Sequence, residues 1–123
     1  MFPDSDIARQ FSCGEKKCAY LCCFGLAPHF RELLLKAVGP EPFVLLFDES
    51  MNTTTKSKQM DLHVRFGQGE VATHYLDSKF MGHAKAGDLI RHFEASTERL
   101  SLNKLVQVSM DGPNVNWRFY RLL

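Results

Sequence analysis

The apolar run Phe43-Val44-Leu45-Leu46-Phe47 restricts this chain more than any other feature. It follows Pro42 and gives way to Asp48-Glu49-Ser50, so it is too short for a typical helix and has the pattern of a strand buried on both faces. The pattern then changes to strict alternation. Met60, Leu62, Val64 and Phe66 alternate with Asp61, His63 and Arg65, which predicts a half-buried strand. Gly67-Gln68-Gly69-Glu70 supplies a turn, and Val71 to Phe80 returns as a third strand. Short links between these three strands predict an antiparallel meander.

A helix from about Lys85 to Leu100 follows, with Ala86, Leu89, Ile90, Phe93 and Leu100 on one face and Arg91, Glu94, Glu98 and Arg99 largely on the other. Leu105 to Met110 is a fourth strand that ends in Asp111-Gly112-Pro113, and Val115 to Leu123 has the pattern of a last helix. The helix between the third and fourth strands acts as a crossover. A crossover within one sheet delivers the next strand parallel; if the fourth strand lands beside the first, both run the same way and their C-terminal ends meet at one edge of the sheet.

Upstream, the chain reads as helical. Ser5 caps a short turn, Glu15 to Phe24 sets Cys18, Leu21 and Cys22 on one side, and Gly25 is expected to break the helix. Pro28 suits the first turn of a second helix, where its missing N–H costs nothing. Phe30, Leu33, Leu34 and Val38 follow at helical spacing until Gly39-Pro40 stops the segment. The expected organisation is a helical lead-in over 1–40 and a mixed α/β (α+β) sheet domain over 41–123.

The first and fourth strands each end in an aspartate, Asp48 and Asp111. Adjacent strands lie about 4.8 Å apart, so two carboxylates at equivalent ends of parallel neighbours converge on one metal ion. Carboxylate and water oxygens suit Mg²⁺ or Mn²⁺ rather than zinc. Such ions polarise a phosphodiester, activate a hydroxyl nucleophile and stabilise the leaving oxygen. The competing reading is structural, because Asp favours turns and helix caps, and Asp111-Gly112-Pro113-Asn114 is a good turn on composition alone.

Phe43 to Ser50, FVLLFDES, resembles the first strand of hAT-type transposase domains, whose first catalytic aspartate stands in such a context. QMDLHVRFGQGEVATHYLDSKFMGHA resembles the two strands that follow, and LVQVSMDGPNVNW is similar to the fourth strand with the second catalytic aspartate. The segment FPDSDIARQFSCGEKKCAYLCCFGLAPHFRELLLK is similar to the helical lead-in of transposon-derived relatives. The resemblance implies an incomplete ribonuclease H-like domain. It makes Asp48 and Asp111 the first two catalytic, metal-binding members of an Asp-Asp-Glu triad, with Glu49 and Asn114 in supporting roles. It also implies DNA as ancestral substrate, Mg²⁺ or Mn²⁺ as cofactor and a nuclear location.

In that family the third acid, a Glu, comes from a helix far downstream. The expectation for this chain is therefore a truncated form, ancestrally cleaving and joining DNA and now inactive. An open edge on the fourth strand, with Val115, Phe119, Leu122 and Leu123 poorly covered, predicts self-association or a protein partner. The alternative is a non-enzymatic DNA-associated or protein-interaction module derived from a transposase.

Composition limits other readings. Lys+Arg 15 against Asp+Glu 14 gives no global electrostatic attraction to nucleic acid. No apolar run reaches transmembrane length and the first residues do not form a secretory signal, so an intracellular, membrane-free protein is expected. Cys13, Cys18, Cys22 and Cys23 contain no C-x-x-C pair and read as buried structural thiols rather than a zinc site. His63 and His74 are a weaker metal pair across the hairpin, with solvent-facing histidines the plainer reading, and His29, His83 and His92 have no partner at ligand spacing. Lys56, Lys58, Lys79 and Lys85 either flank a DNA path or form a solvated basic surface. Trp117, Phe119 and Tyr120 either stack on bases or pack their own helix.

Overall fold

The computed structural model describes residues 5–54, 56–81, 86–110 and 121. The chain divides into two compact units, Met1–Leu33 and Leu34–Leu123.

The second unit is a mixed α+β layer. Its sheet contains β1 (Phe43–Asn52), β2 (Ser57–Gln68), β3 (Glu70–Met81) and β4 (Leu105–Met110) in the order β3-β2-β1-β4. The first three strands form the antiparallel meander expected from their short links, and β4 lies parallel to β1. Gly69 takes φ +89° between β2 and β3, a left-handed conformation that glycine adopts without the steric cost of a Cβ.

Helix α4 (Ala86–Thr97) connects β3 to β4 and covers one face of the sheet. That face supplies Phe43, Leu45 and Phe47 from β1 and Met60, Leu62, Val64 and Phe66 from β2. Leu89 and Phe93 from α4 and Leu100 beyond it close the core from above, together with Leu35 and Val38. The two-residue period of the strands and the helical period of α4 thus meet in one apolar layer.

This packing corrects the expectation for β1. Phe43, Leu45 and Phe47 are buried, but Val44 and Leu46 are only half-buried and Asp48 is exposed. Among the described residues, helical cover lies on the first set only, and the opposite face of the sheet is open among those same residues. Nor does β1 stop at Phe47. It continues through Asp48-Glu49-Ser50 to Asn52, so these residues are part of the strand rather than the loop expected from their polarity. Glu49 points to the core side and its carboxylate accepts a hydrogen bond from the Lys58 ammonium in an ion pair, which allows a charged side chain to be almost wholly buried there.

A second polar tie joins α4 to the sheet. Ser96, buried, donates its hydroxyl to Asp77 of β3 at 2.7 Å. The same carboxylate accepts the Ser78 N–H at 2.9 Å and pairs with Lys79 at 3.4 Å. Ser96→Ala is expected to destabilise the domain by about 1.5 kcal/mol, the scale of a hydrogen bond to a charged group. The urea midpoint measures it, and the slope of the transition should not change.

The first unit is built differently. Ser5 caps α1 (Asp6–Gln10) by accepting the Ala8 N–H, as its position predicts. Helix α2 (Glu15–Leu21) does not end at Gly25. It passes into a π-helical segment, Cys22–Leu26, and α3 (Ala27–Val38) begins directly after it. Pro28 provides the physical reason. Its ring has no N–H and crowds the carbonyl four residues earlier, that of Phe24. The Ala27 N–H bonds instead to the Cys22 carbonyl, five residues back, so the widened turn absorbs the proline without breaking the helix.

The expected burial of the cysteines is also corrected. Cys13, Cys18, Cys22 and Cys23 are free and exposed. Their helical spacing is as read, but α1, α2 and the π-helical segment bury no residue.

Candidate functional site

Asp48 is an exposed residue on the open face of β1. Its neighbours on that face follow from register. Leu46 pairs with His63 of β2 and with Ser109 of β4, and Asp48 pairs directly with Asp61 of β2. Leu46, Asp48, His63, Thr73 and Ser109 line a shallow open groove on the sheet.

Asp61 was not singled out by motif, and it is the acid nearest Asp48 in strand register. Directly opposite positions of an antiparallel pair place Cβ atoms about 5 Å apart, close enough for two like charges to repel. Donors around Asp61 offset that cost. Its Oδ1 accepts from the Ser78 hydroxyl at 2.5 Å and from Gln59 Nε2 at 2.8 Å, and its Oδ2 lies 3.1 Å from the same amide. Asp61 is therefore fixed by β2 and β3, whereas Asp48 faces solvent. The link from Asn52 to Ser57 sets the register that brings the two acids together, a signal readable only once the turn is known.

On its other flank β1 pairs in parallel with β4. This pairing runs from Phe43–Leu105 to Phe47–Met110. The pairing therefore reaches the residues immediately before Asp48 and Asp111. Asp111 itself lies outside the described residues, as do Asn114, Trp117, Phe119, Tyr120 and the expected helix from Val115 to Leu123. Among the described residues, no three His, Cys, Asp or Glu side chains are grouped to hold a metal. The carboxylates on that face, Asp48 and Asp61, are hard oxygen donors that suit Mg²⁺ or Mn²⁺, and His63 adds an imidazole beside them.

Other expected contributors are placed elsewhere. His63 faces Tyr75 across the hairpin, ring centroids 5.9 Å apart, while His74 pairs with Val64 and packs on Phe66 at 5.2 Å. Adjacent positions on a strand point to opposite faces, so these two histidines do not form a metal pair. A register shift at Leu62/His63 adds one residue to β3 at this point.

The lysines do not converge on Asp48 either. Lys58 is paired with Glu49 and Lys79 with Asp77, both on the covered face, and Lys56 occupies the β1–β2 turn with φ 50°. Lys85 and His83 lie outside the described residues. Arg65 is the cationic side chain carried by β2 beside this groove, and its Nε donates to the Thr73 hydroxyl at 2.8 Å.

In the first unit the Cys22 thiol, although exposed, has its pKa raised, first by local desolvation and then by Cys18 through charge and a hydrogen bond. A thiol shifted in that direction holds less of the thiolate that metal binding or redox exchange requires. Among the described residues no helix is long and apolar enough to cross a membrane. Compared with known proteins, the chain matches no family model and no curated sequence.

Proposed function

We propose that this chain derives from the N-terminal part of the ribonuclease H-like catalytic domain of an hAT-type transposase. In this reading its ancestral chemistry is metal-dependent DNA cleavage and strand transfer, with Asp48 and Asp111 as the metal-binding acids. One observation supports it most. β1 and β4 are parallel neighbours, paired from Val44–Gln107 to Phe47–Met110, so the residues just before Asp48 and Asp111 lie side by side at one end of the sheet.

Asp61 adds a third carboxylate across the strand from Asp48. Its hydrogen bonds to Ser78 and Gln59 give it a positioning role, adding negative charge near the ion without a free lone pair being required. An Mg²⁺ or Mn²⁺ ion bound there would polarise a phosphodiester. Asp48 and Asp111 are two acids of the triad that the resemblance calls for, so these residues are expected to bind a divalent ion.

The site is mapped by Mn²⁺ titration of the isotope-labelled protein. Paramagnetic broadening is expected first at the amides of Phe47, Asp48, Asp61 and Met110, and Asp48→Asn should abolish it. Broadening centred on Glu49 and Lys58, or uniform weak broadening over the acidic surface, would contradict the reading. The second reading is a DNA-associated or protein-interaction module that keeps the fold without the chemistry. The balanced charge and the ion-paired lysines near β1 and β3 favour a protein over DNA as its partner.

A further inference from the structure

The four cysteines belong to the first unit, and the site on β1 does not use them. Their exposure removes the packing role that thiols usually fill. Cys18 and Cys22 stand four residues apart, a spacing that sets two side chains one above the other on a helix face. Backbone bonds hold that spacing from both sides. The Cys22 N–H donates to the Cys18 carbonyl, and the Cys22 carbonyl accepts the Ala27 N–H at the far end of the π-helical segment. A side-chain hydrogen bond joins the two thiols, so their sulfurs face each other. Residues 11–30 are all exposed, which leaves the pair open to an ion from solvent. The other two thiols are placed differently. Cys13 precedes the helix and turns toward the Gly14 carbonyl at 3.9 Å, while Cys23 lies roughly a quarter-turn round from Cys22.

We propose that Cys18 and Cys22 form a dithiolate site for a thiophilic metal ion, monovalent copper. Thiolate sulfur is a soft donor and selects copper(I) or zinc over Mg²⁺ and Mn²⁺. The number of donors separates the first two ions. A structural zinc ion takes four protein ligands, whereas copper(I) is satisfied by two thiolates. Among the described residues no third Cys, His, Asp or Glu side chain is grouped with the pair, so the donor count is that of copper(I). Each thiol gives its proton to solvent as its Cu–S bond forms, and the ion stays monovalent throughout. The reluctance of Cys22 to ionise on its own favours an ion that bonds strongly to thiolate over one held by charge alone. Because the helix backbone fixes both sulfurs on one face, little ordering is left for the ion to impose.

Anaerobic titration of the reduced full chain with copper(I), in competition with the chromophoric chelator bicinchoninate, tests this. The expected result is one copper(I) held per chain. Cys18→Ser and Cys22→Ser should each weaken that binding at least about a hundredfold, because the second thiolate is lost as an intramolecular ligand. The Cys13→Ser/Cys23→Ser double variant should hold copper(I) as the wild type does. All four side chains are exposed, so circular dichroism should show the same helix content in every variant. A wild-type chain that yields all its copper(I) to the chelator would overturn the proposal. So would binding unaffected by both single variants, or binding lost in the Cys13→Ser/Cys23→Ser variant.

Discussion

Phe93→Ala is expected to lower the stability of the sheet domain by about 3–5 kcal/mol, the range for a buried aromatic removed without collapse of the site. Phe93 is 1% exposed and belongs to the same apolar cluster as Leu89, Leu45, Leu62 and Val64. Helix α4 packs on the sheet through this cluster. Its apolar stripe is Leu89, Ile90 and Phe93, and its polar tie is the Ser96–Asp77 hydrogen bond. The cavity cannot fill from the strand side, because Leu45, Leu62 and Val64 are fixed in register by pairing on both flanks of β1 and β2. Domains of this size are stable by about 5–15 kcal/mol in all. The loss is therefore a large part of the total, and at about 4–8 °C per kcal/mol the melting temperature should fall by at least ~12 °C. Circular dichroism melts at one protein concentration measure it. Phe24→Ala, at a side chain 69% exposed in the first unit, should move the same transition little.

The parts of this fold set by short-range pattern were legible in the sequence. The alternation from Met60 to Phe66, the turn at Gly69 and the stripe of Leu89 and Phe93 each depend on a local period, and each fell where that period placed it. The direction of β4 followed from the helical crossover, whereas its place beside β1 was a condition that no local period fixes. What escaped depended on partners distant in sequence. Asp48-Glu49-Ser50 reads as a loop because three polar residues in a row satisfy no apolar period. It forms strand because Lys58 neutralises Glu49 on one side and solvent accepts Asp48 and Ser50 on the other. Gly25 reads as a helix stop, but a π turn accommodates Pro28 instead. The cysteines read as buried because thiols are usually apolar filling, yet the first unit offers them nothing to fill.

The candidate site was legible in half. Asp48 was identified from its strand and its motif. Asp61 was hidden because its place opposite Asp48 arises from a register that no periodicity states, and His63 and His74 were separated by the face alternation of β2 and β3. Acidic residues opposite one another are an unfavourable pair unless hydrogen bonds or a cation offset them. Ser78 and Gln59 provide the first of these at Asp61, and in the proposed reading a divalent ion at Asp48 would provide the second.

The second large effect follows from that arrangement and bears on the central claim. An ion that binds the folded state alone stabilises it by about 2.7 kcal/mol when present at 100 times its dissociation constant. The decisive measurement is a thermal melt of the full chain with and without Mn²⁺, beside the Asp48→Asn/Asp111→Asn double variant. The expected result is a cooperative transition raised by Mn²⁺ in the wild type and unmoved by it in the double variant, which should itself fold. Equal shifts in both proteins, or a cooperative wild-type melt that saturating Mn²⁺ leaves in place, would contradict convergence of the two aspartates on one metal ion.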